Sequence, residues 1–133
     1  MAARGVHHLG VAVADLDESI ARYALLFGAT VEHRAHVEDQ GVEAASLHVG
    51  PSRVELLRPL TEETPVGRFL AKRGPGMHHV AFAVDDVAAE LERLRGEGVQ
   101  LIDEQPRLGL FGLQVAFVHP EATGGVLAEF VAA

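Results

Sequence analysis

Two histidine pairs stand at the head of apolar, strand-like stretches: His7-His8 in "GVHHLGVAVADL" and His78-His79 in "GMHHVAFAVDDV". Alternation along a strand sends neighbouring side chains to opposite faces, so each pair must split. His7 goes with the bulky Leu9, Val11 and Val13, and His8 with Gly10 and Ala12. In the second stretch His78 goes with Val80, Phe82 and Val84, and His79 with Ala81 and Ala83. The bulky faces are predicted to pack on helices, leaving His8 and His79 on a roomier, ligand-holding side. The same alternation sorts two later glutamates: Glu55 in "RVELL" and Glu129 in "LAEFV" each interrupt an otherwise apolar strand. A glutamate placed there is costly to bury unless it is paired or metal-bound. Each half of the chain thus offers one His and one Glu, 47 residues apart in the first and 50 in the second. Two imidazoles and two carboxylates form a nitrogen and oxygen set suited to a divalent metal, with two octahedral positions left for water or substrate. The predicted ligands are His8, Glu55, His79 and Glu129.

The elements that position these residues repeat. An offset of 71 residues aligns Gly5 to Arg22 with Gly76 to Arg93, with seven of eighteen positions identical, well above coincidence. In each half a strand (Val6 to Val13; Met77 to Val84) leads into an amphipathic helix (Leu16 to Phe27; Val87 to Arg95), with Gly28 and Gly96 or Gly98 as stops. Strands follow near Thr30 to Val37, Val42 to Val49 and Arg53 to Leu57, and near Val99 to Asp103, Leu113 to Val118 and Val126 to Val131. Thr64 to Arg73 reads as a linking helix, with Thr64 as N-cap and Gly74-Pro75-Gly76 as its end. The expected class is α+β: two tandem βαβββ modules, 5–60 and 76–133, joined by a linking segment 61–75, in a single domain 1–133 whose mixed sheet curls around a metal site.

Composition narrows the possibilities. The chain has 133 residues, 48% of them hydrophobic, enough for one domain with a true core. It has no cysteine, which removes disulfides and thiolate metal sites and allows a reducing compartment. The apolar runs are too short to cross a bilayer and the N-terminus lacks a signal-peptide core, so a soluble, cytoplasmic protein is expected. A net charge of −8 argues against nucleic-acid and membrane partners, which call for basic surface.

The runs "VELLRPLTEETPVGRFLAKRGPGMHHVAFAVDD", "EDQGVEAASLHVG" and "FGLQVAFVHPEATGGVLAEF" resemble the vicinal oxygen chelate superfamily of glyoxalases and extradiol dioxygenases, and within it the methylmalonyl-CoA epimerases. The resemblance covers essentially the whole length. It implies the paired βαβββ fold and a divalent metal on His8, Glu55, His79 and Glu129, with cobalt favoured over manganese, magnesium, zinc or iron. Some family members carry glutamine where this chain has Glu55, so the site here gains a negative charge. The implied reaction interconverts (2R)- and (2S)-methylmalonyl-CoA by 1,1-proton transfer through a metal-stabilised enolate. Glu43 is then the expected free base, with Glu129 as the acid/base partner on the other face. Arg68, Lys72 and Arg73 on the linking helix are candidates for the CoA phosphates, His119 for a substrate contact, and "PRLGLFG" (106–112) for a flexible lid. A homodimer is the expected assembly. A glyoxalase-type lyase acting on a hemithioacetal and a non-enzymatic, ligand-sequestering protein of the same fold are the alternatives.

Overall fold

The structure, a computed structural model, describes residues 3–133. The chain divides into two compact units: His8–His78, and the residues through His7 together with His79–Ala133.

In the first unit the order is β1 (Gly5–Ala12, its first three residues belonging to the other unit), α1 (Leu16–Phe27), β2 (Thr30–Val37), β3 (Val42–Val49), β4 (Ser52–Pro59) and α2 (Pro65–Arg73). The half-sheet runs β2-β3-β4-β1, antiparallel except where β1 lies parallel to β4. The Asp15 carboxylate caps α1 by accepting the Glu18 N–H at 3.0 Å, and Gly28 ends the helix in the left-handed conformation with φ 68°, where a Cβ would be strained. Val13, Leu16, Ala45, Leu47 and Leu56 are buried together, with Val11, Ile20, Tyr23 and Val54 packed on them. The bulky side of β1 therefore meets α1, as the alternation requires. On α2 the Thr64 hydroxyl accepts the Gly67 N–H at 3.0 Å, and Phe69 meets the His78 ring edge-on at 5.1 Å. His78 thus packs against a helix, although that helix is the linking one.

In the second unit the order is β5 (Gly76–Val84, its first three residues belonging to the first unit), α3 (Val87–Gly96), β6 (Arg107–Leu108), β7 (Gln114–Val118), α4 (Pro120–Thr123) and β8 (Ala128–Ala132). β8 lies parallel to β5 and antiparallel to β7, which pairs with β6. Val84, Val87, Leu91 and Ala116 form the core under α3. Both halves are βαβββ, and the element order is that expected.

Two segments differ from expectation. Residues 99–103 make only an isolated bridge, Leu101 to Val118; the Asp103 side chain, rather than a backbone carbonyl, takes the Phe117 N–H at 2.8 Å. A carboxylate that captures a ladder donor ends the pairing there, and the strand forms later, at Arg107–Leu108. The segment 106–112, expected as a flexible lid, is tied down. Arg107 donates to Asp103 at 3.2 Å, β6 pairs with β7, and Leu110 is buried.

Candidate metal centre

Register decides which side chains share a face. Gly10 stands beside Glu55 on the parallel β1–β4 pair, and Ser46 stands across from Glu55 on the antiparallel β3–β4 pair. His8, Gly10, Ala12, Ser46 and Glu55 therefore lie on the face opposite to the α1 core. His8 is 4% exposed and Glu55 7%, with His8 Nε2 3.6 Å from Glu55 Oε2. In the second unit Ala81 stands beside Glu129 and Phe117 across from it. His79 and Glu129 are each 3% exposed, with Nε2 3.3 Å from Oε1. The Phe117 ring meets the His79 ring edge-on at 5.3 Å, which fixes the imidazole plane. The histidine and glutamate on each small-residue face are thus buried.

Each half delivers one buried His–Glu pair from equivalent strand positions. At 3.3 and 3.6 Å the facing atoms are farther apart than in a strong charge-assisted hydrogen bond. Donors about 2.1 Å from one ion and 90–110° apart stand roughly 3.0–3.4 Å from each other. Both pairs fit a divalent-metal site in donor chemistry and burial; the His79–Glu129 pair fits it in spacing too, while the His8–Glu55 pair at 3.6 Å stands slightly wide of it.

Residues 7–117 match the Glyoxalase/Bleomycin resistance protein/Dioxygenase superfamily. The chain is 34% identical to the mitochondrial methylmalonyl-CoA epimerase of Homo sapiens over 125 residues, 93% of this chain and 71% of that one. It belongs to the methylmalonyl-CoA epimerase family of this superfamily. Among solved epimerases, that of Mycobacterium tuberculosis shares 40% identity at a TM-score of 0.93, covering 97% of this chain and 87% of its own. A Streptomyces coelicolor epimerase variant bound to 2-nitronate-propionyl-CoA shares 38% at a TM-score of 0.94, covering 98% and 94%. The paired βαβββ fold of this chain is that of the epimerase family.

The remaining expected residues are placed as follows. Glu43 shares the α1 face of β3 with Ala45 and Leu47, two residues of the core beneath α1, so it points away from the face of His8 and Glu55. Its carboxylate accepts from Arg34 Nε at 3.1 Å and from Arg58 Nη2 at 3.2 Å. Burial pushes its pKa up, but the two guanidiniums outweigh burial and hold it below the ordinary 4.5. A carboxylate so placed and so stabilised is a weaker base than a free one. Arg68 donates to the Glu63 carbonyl, Arg73 lies over the Phe69 ring at 5.7 Å, and Arg68, Lys72 and Arg73 are all exposed. His119 caps α4, its Nδ1 accepting the Glu121 N–H at 3.1 Å, an arrangement that leaves Nε2 as the ring's donor.

Sequence reasoning missed the groups around the two pairs. Phe117, which orients His79, is held by Asp103. Glu32, Ser46, His48 and Arg53 form a polar cluster on the Glu55 side. Glu32 reaches that side through a register irregularity between Val31 and His33, a bulge that period-two alternation does not foresee.

Proposed function

We propose that this chain is a metal-dependent epimerase that interconverts (2R)- and (2S)-methylmalonyl-CoA, with one divalent ion held jointly by His8, Glu55, His79 and Glu129. The observation that carries the reading is the duplicated buried His–Glu pair, in a chain 38–40% identical to solved epimerases over nearly its whole length. The chemistry such an ion supplies is Lewis-acid stabilisation of the enolate oxygen that develops when the α proton leaves.

The chain's own residues do the rest. His79, its ring plane set by Phe117, and His8 present imidazole nitrogens. Glu55 and Glu129 present carboxylates whose burial excludes water from the reacting carbon. Glu129 is assigned the proton transfer on one face of the enolate and Glu55 that on the other, since in each one carboxylate oxygen could ligate while the other holds a proton. Glu43 is left out of the acid/base work because its charge is committed to Arg34 and Arg58 on the other face of the sheet. The His119 Nε2–H is a donor available to the substrate's carboxylate or thioester oxygen. Lys72 and Arg73, exposed at the end of α2, suit the CoA phosphates, with Arg68 one turn earlier on the same helix. Cobalt is the favoured ion by the resemblance, and the nitrogen and oxygen donor set also accepts manganese, magnesium, zinc or iron. A homodimer and a cytoplasmic location complete the reading; among the described residues no helix is long and apolar enough to cross a membrane.

The test is to incubate the cobalt-loaded protein with one epimer of methylmalonyl-CoA in deuterated water. Conversion to the other epimer with deuterium entering at the α carbon is expected. Loaded protein that takes up no deuterium overturns the reading, and turnover of a hemithioacetal in its place establishes the lyase alternative.

A further inference from the structure

The face that carries His8 and Glu55 also carries a charge network that the metal reading leaves unused. Arg53 grips Glu32 with two bonds, Nε to Oε1 at 2.8 Å and Nη2 to Oε2 at 3.1 Å. His48 Nε2 lies 2.9 Å from the second of those oxygens, and the fully buried Ser46 hydroxyl donates to the first at 3.2 Å. Arg53 and Glu55 are two residues apart on β4 and so project to the same side. Ser46 stands directly across from Glu55 and His48 directly across from Arg53. Arg53 and Glu55 are thus neighbours on one side of β4, and the hydroxyl that bonds Glu32 stands across from Glu55. One cation, bonded to one carboxylate, therefore shares a strand face with a second, which is a metal ligand in the proposed centre.

A carboxylate ligand carries a full negative charge where an amide ligand carries none. It binds a divalent ion more tightly and leaves that ion less electron-poor. An arginine fixed beside the carboxylate draws this charge back. Arginine suits the task because its planar fork can be pinned by both oxygens of Glu32 while its charge remains directed at a third group.

We propose that Arg53, pinned by Glu32, is a positioning residue that offsets the charge of Glu55, weakening the hold on the metal ion and raising the ion's power to stabilise an enolate. The inference rests on the metal reading above and names the device that lets this chain use glutamate at position 55. It makes an unusual demand: removing Arg53 must tighten metal binding while slowing the reaction. A latch that merely held β2 to β3 and β4 would, when cut, loosen the site and impair both.

The experiment measures cobalt(II) dissociation constants by competition with a chromophoric chelator, and kcat separately, on the full chain. Arg53→Met is expected to bind cobalt about tenfold more tightly, the order expected for removing one positive charge several ångströms from a divalent ion in a partly buried setting, and to lose about tenfold in kcat. Glu55→Gln is expected to bind cobalt more weakly. The double variant Arg53→Met/Glu55→Gln has the wild-type net charge and should return to within about threefold of wild-type affinity. Arg53→Lys keeps the charge and should stay within about threefold of wild type in both quantities; it decides the matter if Arg53→Met does not fold, since loss of both in Arg53→Lys identifies a latch. Cobalt affinity unchanged or weakened in Arg53→Met overturns this inference alone. A wild-type chain that binds no cobalt overturns the metal centre itself, and the inference with it.

Discussion

Replacing Glu32 by glutamine tests how much the network beside Glu55 contributes to the fold, independently of any metal. The Arg53 hydrogen bond, opposed by burial and reinforced by His48 and Ser46, lowers the Glu32 pKa from 4.5 to about 2. At 1.36 kcal/mol for each tenfold change in proton affinity, that difference corresponds to roughly 3.4 kcal/mol. The Glu32 side chain is 25% exposed, so solvent and salt screen the interaction, and about 1.5 kcal/mol is the figure to test. For a chain of this length the loss lowers Tm by about 5 °C. Because the folded-state pKa is depressed, the stabilisation is fully present above the unfolded value near 4.5 and is lost as pH falls towards 2. The assay is thermal unfolding of wild type and Glu32→Gln, followed by circular dichroism in chelator, from pH 7 down to pH 2.5. The gap between them should be about 5 °C at pH 7 and should close progressively below pH 4.5. A gap that persists unchanged at pH 2.5 refutes the electrostatic account and leaves only side-chain packing.

Three further outcomes follow from the geometry. Gly67→Ala would place a Cβ 2.3 Å from the Thr61 carbonyl oxygen and 2.7 Å from that of Glu62; since these are backbone atoms that cannot swing aside, a loss of about 1–3 kcal/mol is expected in urea unfolding. Glu43→Gln should keep cobalt affinity and most of kcat, because Glu43 faces α1; a loss of a hundredfold or more in kcat would return it to the acid/base machinery. Lys72→Ala/Arg73→Ala should raise KM for the CoA thioester about fivefold at unchanged kcat, with an effect that shrinks at high salt; no change in KM removes α2 from phosphate binding.

What was legible in the sequence was what depends on a local period. Two residues per strand repeat separate His8 from His7 and His79 from His78 without any knowledge of the fold, and the helix and cap signals at Asp15, Gly28 and Thr64 are equally local. The same period also held the warning about Glu43. It places Glu43 with Ala45 and Leu47 and places Glu55 with Ala44 and Ser46 across the strand pair, so a base at Glu43 and a ligand at Glu55 could not share a face. The Glu43 carboxylate accepts from Arg34 and Arg58. What stayed hidden arises where the period breaks. The irregularity between Val31 and His33 turns Glu32 towards Ser46 and Arg53, and the Asp103 carboxylate stops a strand by taking the Phe117 N–H. Both departures sit one step behind a buried His–Glu pair: Glu32 holds Arg53 on the side of Glu55, and Asp103 holds the backbone of Phe117, whose ring meets His79. A regular ladder can present a histidine and a glutamate on one face, but holding them at a set charge and a set ring plane takes side chains that the ladder alone would direct elsewhere.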